Sequence, residues 1–238
     1  MTQPFTFEVN PPPTFHLGPI PVTPTVWMTW VLMGVLTALA LVIRRQIARG
    51  ERSGLRTVFE AMMEYLDGQI EEIVRRPPGR YFPLIATLFI FIVFANLVSA
   101  VPRVASPTAD IACTAALALL VFLAVPVYGI AERGPGGYLR GYLKPTPFML
   151  PFNIIGELSR TLALAVRLFG NVMSGAVLAG VLVSVGGIIA APIGMLGLLT
   201  GVIQAYIFAI LAMVYIGGAV QAAERKRQDE DKEPSRQN

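Results

Sequence analysis

The chain has 238 residues, of which 54% are hydrophobic and only 14% charged, with a mean hydropathy of +0.62, a balance that leaves too few charges to solvate a soluble domain of this length. One cysteine, Cys113, and one histidine, His16, exclude an internal disulfide, a cysteine metal cluster and a histidine-dependent catalytic or multi-histidine metal site in the membrane, and no cofactor or metal is expected. The net charge of +4 lies beside apolar segments, which encodes membrane topology rather than nucleic-acid binding.

Residues 1 to 24 are rich in Pro, Phe and Thr, with Pro11, Pro12 and Pro13 in a row, and lack the basic start and cleavage site of a signal peptide. They predict an external loop. A single membrane domain is expected over 25 to 223, beginning with a span at about 25 to 43. Trp27 and Trp30 anchor its outer end, and Arg44, Arg45, Arg49 and Arg52 follow its inner end. Residues 54 to 76 carry Leu55, Val58, Phe59, Met62, Met63, Leu66, Ile70 and Ile73 at helical spacing among charged residues. That pattern predicts an amphipathic helix on the membrane or on a partner, ended by Pro77 and Pro78.

A second span is expected at 81 to 101 with Asn96 in its outer half, and a third at about 110 to 130, opened by Asp110. An aspartate at a helix start also suits the helix dipole, so Asp110 reads either as a cap or as a functional carboxylate. The Gly-rich loop from Glu132 to Pro147 carries Arg133, Arg140 and Lys144 and should be cytoplasmic.

The fourth span, about 151 to 183, holds two arginines in an apolar helix. Arg160 and Arg167 are seven residues apart, which at about 100° per residue returns them to within roughly 20° of one face, with Asn171 and Ser174 on the same stripe. A charge at the membrane centre costs at least about 2.5 kcal/mol, so such a residue faces water, a partner or an ion path. The alternatives are that Arg160 snorkels to the headgroups and that Arg167 pairs with Asp110 or Glu157. Between Glu157 and Glu224 the chain has no acidic residue, so the carboxylate that neutralises Arg167 is expected on another chain. Glycines at 170, 175 and 180 would let that helix approach closely.

The last span, about 192 to 223, contains Gln204, with Thr200, Leu211 and Tyr215 on its stripe, and 224 to 238 reads as a solvated cytoplasmic tail. On this map sixteen of the 19 Lys and Arg residues are cytoplasmic, Arg103 is outside, and Arg160 and Arg167 are in the membrane. The expected fold is an all-α membrane protein of five transmembrane helices plus one amphipathic interfacial helix, N-terminus out and C-terminus in.

Four blocks, RLFGN at 167 to 171, QAYIFAILAMVYI at 204 to 216, PLIATLFIFIVFANL at 83 to 97 and PTADIACTAALAL at 107 to 119, resemble subunit a of the membrane sector of F-type ATP synthases, the ATPase subunit 6 family. The resemblance implies a non-catalytic stator in a bacterial cytoplasmic (inner) membrane, its last two helices forming a hairpin against a ring of c subunits. It implies b subunits of a peripheral stalk and, indirectly, the F1 sector as further partners. It puts Arg167 at the essential arginine, opposite the ring's intramembrane carboxylate, with Asn171 and Gln204 beside it and Asp110 and Asn96 on a water-filled path from outside.

The chain departs from the family pattern at Ala176, Gly197 and Ala112, where ion-relay residues are usual. A path using Ser174, Thr200 and Asp110 would replace them, with Arg160 and Glu157 as secondary candidates. Proton coupling is expected, with a sodium-coupled variant as the alternative. A stand-alone transporter binding an anion at Arg160, Arg167 and Asn171, or a purely structural membrane subunit, are the readings from other classes.

Overall fold

The computed structural model describes residues 15–17, 20–51, 53–75, 77–99, 106–142, 149–186 and 190–232. Six α-helices follow a short antiparallel hairpin, β1 (Phe15–Leu17) with β2 (Ile20–Val22), paired in the register Phe15↔Val22 and Leu17↔Ile20. The hairpin lies inside the segment read as a loop; three-residue strands are too short to show an alternating pattern.

Helix α1 (Pro24–Ala48) starts with proline in its first turn, where a missing N–H costs nothing, and leaves most of its apolar surface exposed. Helix α2 (Gly54–Val74) is capped by Ser53, whose Oγ accepts from Arg56 N at 3.2 Å, and ends at Arg75 in the left-handed region, φ 57°. Its apolar stripe was expected to meet the membrane or a partner. Of that stripe Leu66 and Ile70, joined by Val74, are fully buried in the chain's own core where the helix docks on α6, while Leu55 and Val58 stay exposed. At one end of that seam the Tyr65 and Tyr206 hydroxyls lie 3.1 Å apart, and at the other a Cβ on Gly217 would sit 3.4 Å from Val74 Cα.

The start of helix α3 (Phe82–Val98) is tied to helix α4 (Ile111–Tyr142) by Glu132, which accepts from Arg80 Nη1 at 3.3 Å and Tyr81 Oη at 3.2 Å. The loop expected from Glu132 begins later than the sequence suggested. After a kink at Gly134 (φ 73°, ψ 160°), a conformation that requires glycine, the chain stays helical to Tyr142. Helix α5 (Met149–Gly186) and helix α6 (Ala190–Lys232) are the two longest. The expected tail is also partly structured, since α6 runs on through Glu224 to Lys232.

The core is built round α6. Ala205, Phe208, Ala209, Ala212, Met213 and Ile216 are buried against α3, α4 and α5, and the alanines let those helices come close. Among the described residues three stretches, Pro24–Ala48, Ile111–Glu132 and Met195–Val220, are long and apolar enough to cross a membrane, while Phe82–Val98 is apolar but shorter.

Candidate functional site

The site begins with the two-sidedness of α5. Leu164, Ala165, Leu168 and Val172 are buried, and the neighbouring edge, with Arg160, Val166, Arg167, Gly170 and Ser174, is exposed. Asn171 lies half-buried between the two. Arg167 is therefore held at the rim of the helix pair, and among the described residues no carboxylate pairs with it. The bridges to Asp110 or Glu157 considered from the sequence are not formed.

Arg160 is exposed and reaches across to α6. Its guanidinium carbon lies 5.9 Å from the ring centroid of Tyr215 on α6, a cation–π contact worth about 0.5–1 kcal/mol at an exposed site. Glu157, Arg160, Thr161 and Tyr215 line a pocket of about 40 Å³ together with Val121, Val125 and Leu164. A pocket of that size has room for water, with Glu157, Arg160 and Thr161 as the polar groups in a mainly apolar lining.

Gln204 is only 6% exposed, and its Nε2 is buried without an acceptor among the described residues. Thr200, expected on the same stripe, is exposed and donates its hydroxyl to Leu196 O at 2.8 Å. Ser174 does likewise to Asn171 O at 3.0 Å. Both hydroxyls are thus satisfied on their own helices. Gly197 is exposed with open space where a side chain would be, and the side chain of Ala176 lies outside the described residues.

Asp110 acts as a helix cap: its Oδ1 accepts from Ala112 N at 2.8 Å and its backbone carbonyl from Thr114 N at 3.2 Å, opening α4. Asn96 is 2% exposed and fully engaged. Its Nδ2 donates to Gly201 O on α6 at 2.7 Å, and its Oδ1 accepts from Thr108 Oγ1 at 3.0 Å. Thr108 lies 2.8 Å from Ser106 Oγ, which reaches Ala95 O at 2.7 Å.

The structure thus joins Asn96 to Gly201, Thr108 and Ser106, and it joins Arg160 and Glu157 to Tyr215 round one pocket. It does not bring Asp110 into a hydrogen bond with Asn96. Gly201, Thr108 and Ser106 escaped the sequence reading because a glycine and two small hydroxyl residues carry no signal until their partner is known.

Comparison with known proteins gives a single answer. The family described as "ATP synthase A chain" matches residues 26–217. "ATP synthase subunit a 2" of Acaryochloris marina is 50% identical over 212 residues, covering 86% of this chain and 88% of that protein. "ATP synthase subunit a 1" of Chlorobium luteolum is 50% identical over 200 residues (83% and 90%), and "ATP synthase subunit a 2" of Pelobacter propionicus 46% over 220 residues (92% and 96%).

Proposed function

The chain belongs to the ATP synthase A chain family, a non-catalytic, multi-pass membrane subunit, and from that premise we propose that it is the stator that carries ions past a ring of c subunits. In this reading two offset half-channels meet the ring at Arg167, and ion flow turns the ring to drive ATP synthesis, or runs backwards on hydrolysis. The observation that carries it is Arg167 itself, a permanent cation on the exposed edge of an apolar helix with no carboxylate of its own among the described residues. A ring carboxylate arriving opposite it stays ionised, because an opposite charge nearby favours the charged form of an acid. The same charge bars ions from passing directly between the half-channels.

The contact between Arg160 and Tyr215 supports a cluster around Arg167. Helices α5 and α6 are consecutive, pack together and run antiparallel, and each rises about 1.5 Å per residue. Eleven residues forward from Arg160 is Asn171, and eleven back from Tyr215 is Gln204, so the two amides match in level, one turn from Arg167. The pocket at Glu157 and Arg160 suits the inner half-channel, while Asp110 and Asn96 suit the outer one. Five spans, an outer N-terminus and a bacterial inner membrane complete the reading, with the proton as the transported ion.

Its test is purification. A tagged chain drawn from mildly solubilised membranes should bring with it the c ring, the b subunits and F1. A chain that comes away alone and still moves ions in vesicles would make it a stand-alone transporter.

A further inference from the structure

We propose that Gly201 is a positioning residue: by lacking a Cβ it lets the Asn96 carboxamide lock onto the α6 backbone, and that lock fixes the rotation of α6 that keeps Gln204 inside the protein. The proposal rests on the reading of Gln204 as part of the ion path.

A Cβ at Gly201 would lie 2.9 Å from Asn96 Cβ, 3.2 Å from Cγ and 3.3 Å from Nδ2. The nearest of these atoms is fixed to the α3 backbone and cannot swing aside, so only glycine admits the contact. The orientation of the amide is also determined. A carbonyl oxygen only accepts, so Gly201 O requires Nδ2, which turns Oδ1 toward the Thr108 hydroxyl. Thr108 is wholly buried and lies against Ser106, whose hydroxyl donates to Ala95 O on α3. Asn96 therefore has no free rotamer, and α3, the turn at Pro107–Ala109 and α6 are tied at one point.

The rotation of α6 matters most at Gln204. Gly201 and Gln204 are both buried, three residues apart, whereas exposed Thr200 is only about 40° from Gln204 round the helix. A small turn of α6 would carry the amide from the interior to the exposed edge. Nothing at Gln204 itself opposes that turn, because a buried donor without an acceptor gains by reaching water. The buried face of Ala205, Phe208 and Ala209 resists it by packing, and the Asn96 bond adds a directional constraint one turn from Gln204.

The experiment uses the intact complex in membrane vesicles, with Gln204→Cys in a Cys113→Ser background and a water-soluble maleimide. The single thiol at position 204 should label slowly, and adding Gly201→Ala should raise the rate several-fold. Asn96→Ala, which deletes the amide without adding bulk, should raise it too, and the two together should add little beyond either, since both break one contact. With Gln204 intact, Gly201→Ala complexes should lose ATP-driven pumping. Labelling that neither change affects would overturn the lock, and Asn96→Ala alone decides this if Gly201→Ala fails to assemble. Raised labelling with undiminished pumping would overturn instead the ion-path reading of Gln204.

Discussion

Asp110 shows how two roles can share one side chain. Its bond to Ala112 N needs an oxygen, not a charge, and an asparagine caps a helix about as well as an aspartate. Asp110→Asn therefore isolates the charge: stability of the assembled complex should change by about 0.5 kcal/mol or less, while ion flux slows. Flux at the unmutated rate would leave Asp110 as a cap and nothing more. At this scale the sequence speaks clearly where a residue is costly and weakly where it is cheap. Arg167 was legible because a charge in an apolar helix, with no acid after Glu157 until Glu224, needs an external reason. Asn96 was legible as polar but not in its partner, which stands 105 residues away and contributes only a backbone carbonyl.

Elements were legible in kind and less so in extent. The apolar runs gave the helices α1, α3 and α4, because burial or lipid must cover them, and the helical stripe gave α2. What α2 meets could not be read, since Leu66, Ile70 and Val74 would serve lipid, another chain or α6 equally well. The end of α6 ran past expectation because Arg, Lys, Glu and Gln are good helix formers as well as good loop residues, whereas α4 resumes after the kink at Gly134 with Pro135 in the new first turn, where proline is tolerated. The relation of α5 to α6 yields a test at the same scale. If the register set by Arg160 and Tyr215 continues along the hairpin, Asn171→Cys with Gln204→Cys, in a Cys113→Ser background, should form a disulfide under mild oxidation. The same Asn171→Cys paired with Leu211→Cys, seven residues and about 10 Å further along α6, should not. The opposite pattern would mean that the helices are shifted and that Gln204 is not level with the arginine edge.

Over the whole molecule, composition and basic residues set beside apolar spans prescribe a polytopic membrane protein. The structure supplies a helical body centred on α6 with the cationic edge of α5 at its surface. The partner could be inferred only as a missing carboxylate, because one chain cannot specify a residue on another. In the proposed function a fixed cation there serves coupling rather than folding: removing it lowers the cost of placing α5 in the membrane, so assembly should survive. Lysine is not an equivalent replacement, since a buried ammonium can shed its proton whereas a guanidinium stays charged.

The decisive measurement is ion flux through the reconstituted complex carrying Arg167→Ala, recorded with and without ATP. ATP-driven pumping should vanish while the passive leak rises, the subunit remaining inserted and assembled, and Arg167→Lys should restore coupling only in part. Arg167→Ala vesicles that pump at close to the unmutated rate would make the arginine structural and contradict the account at its centre.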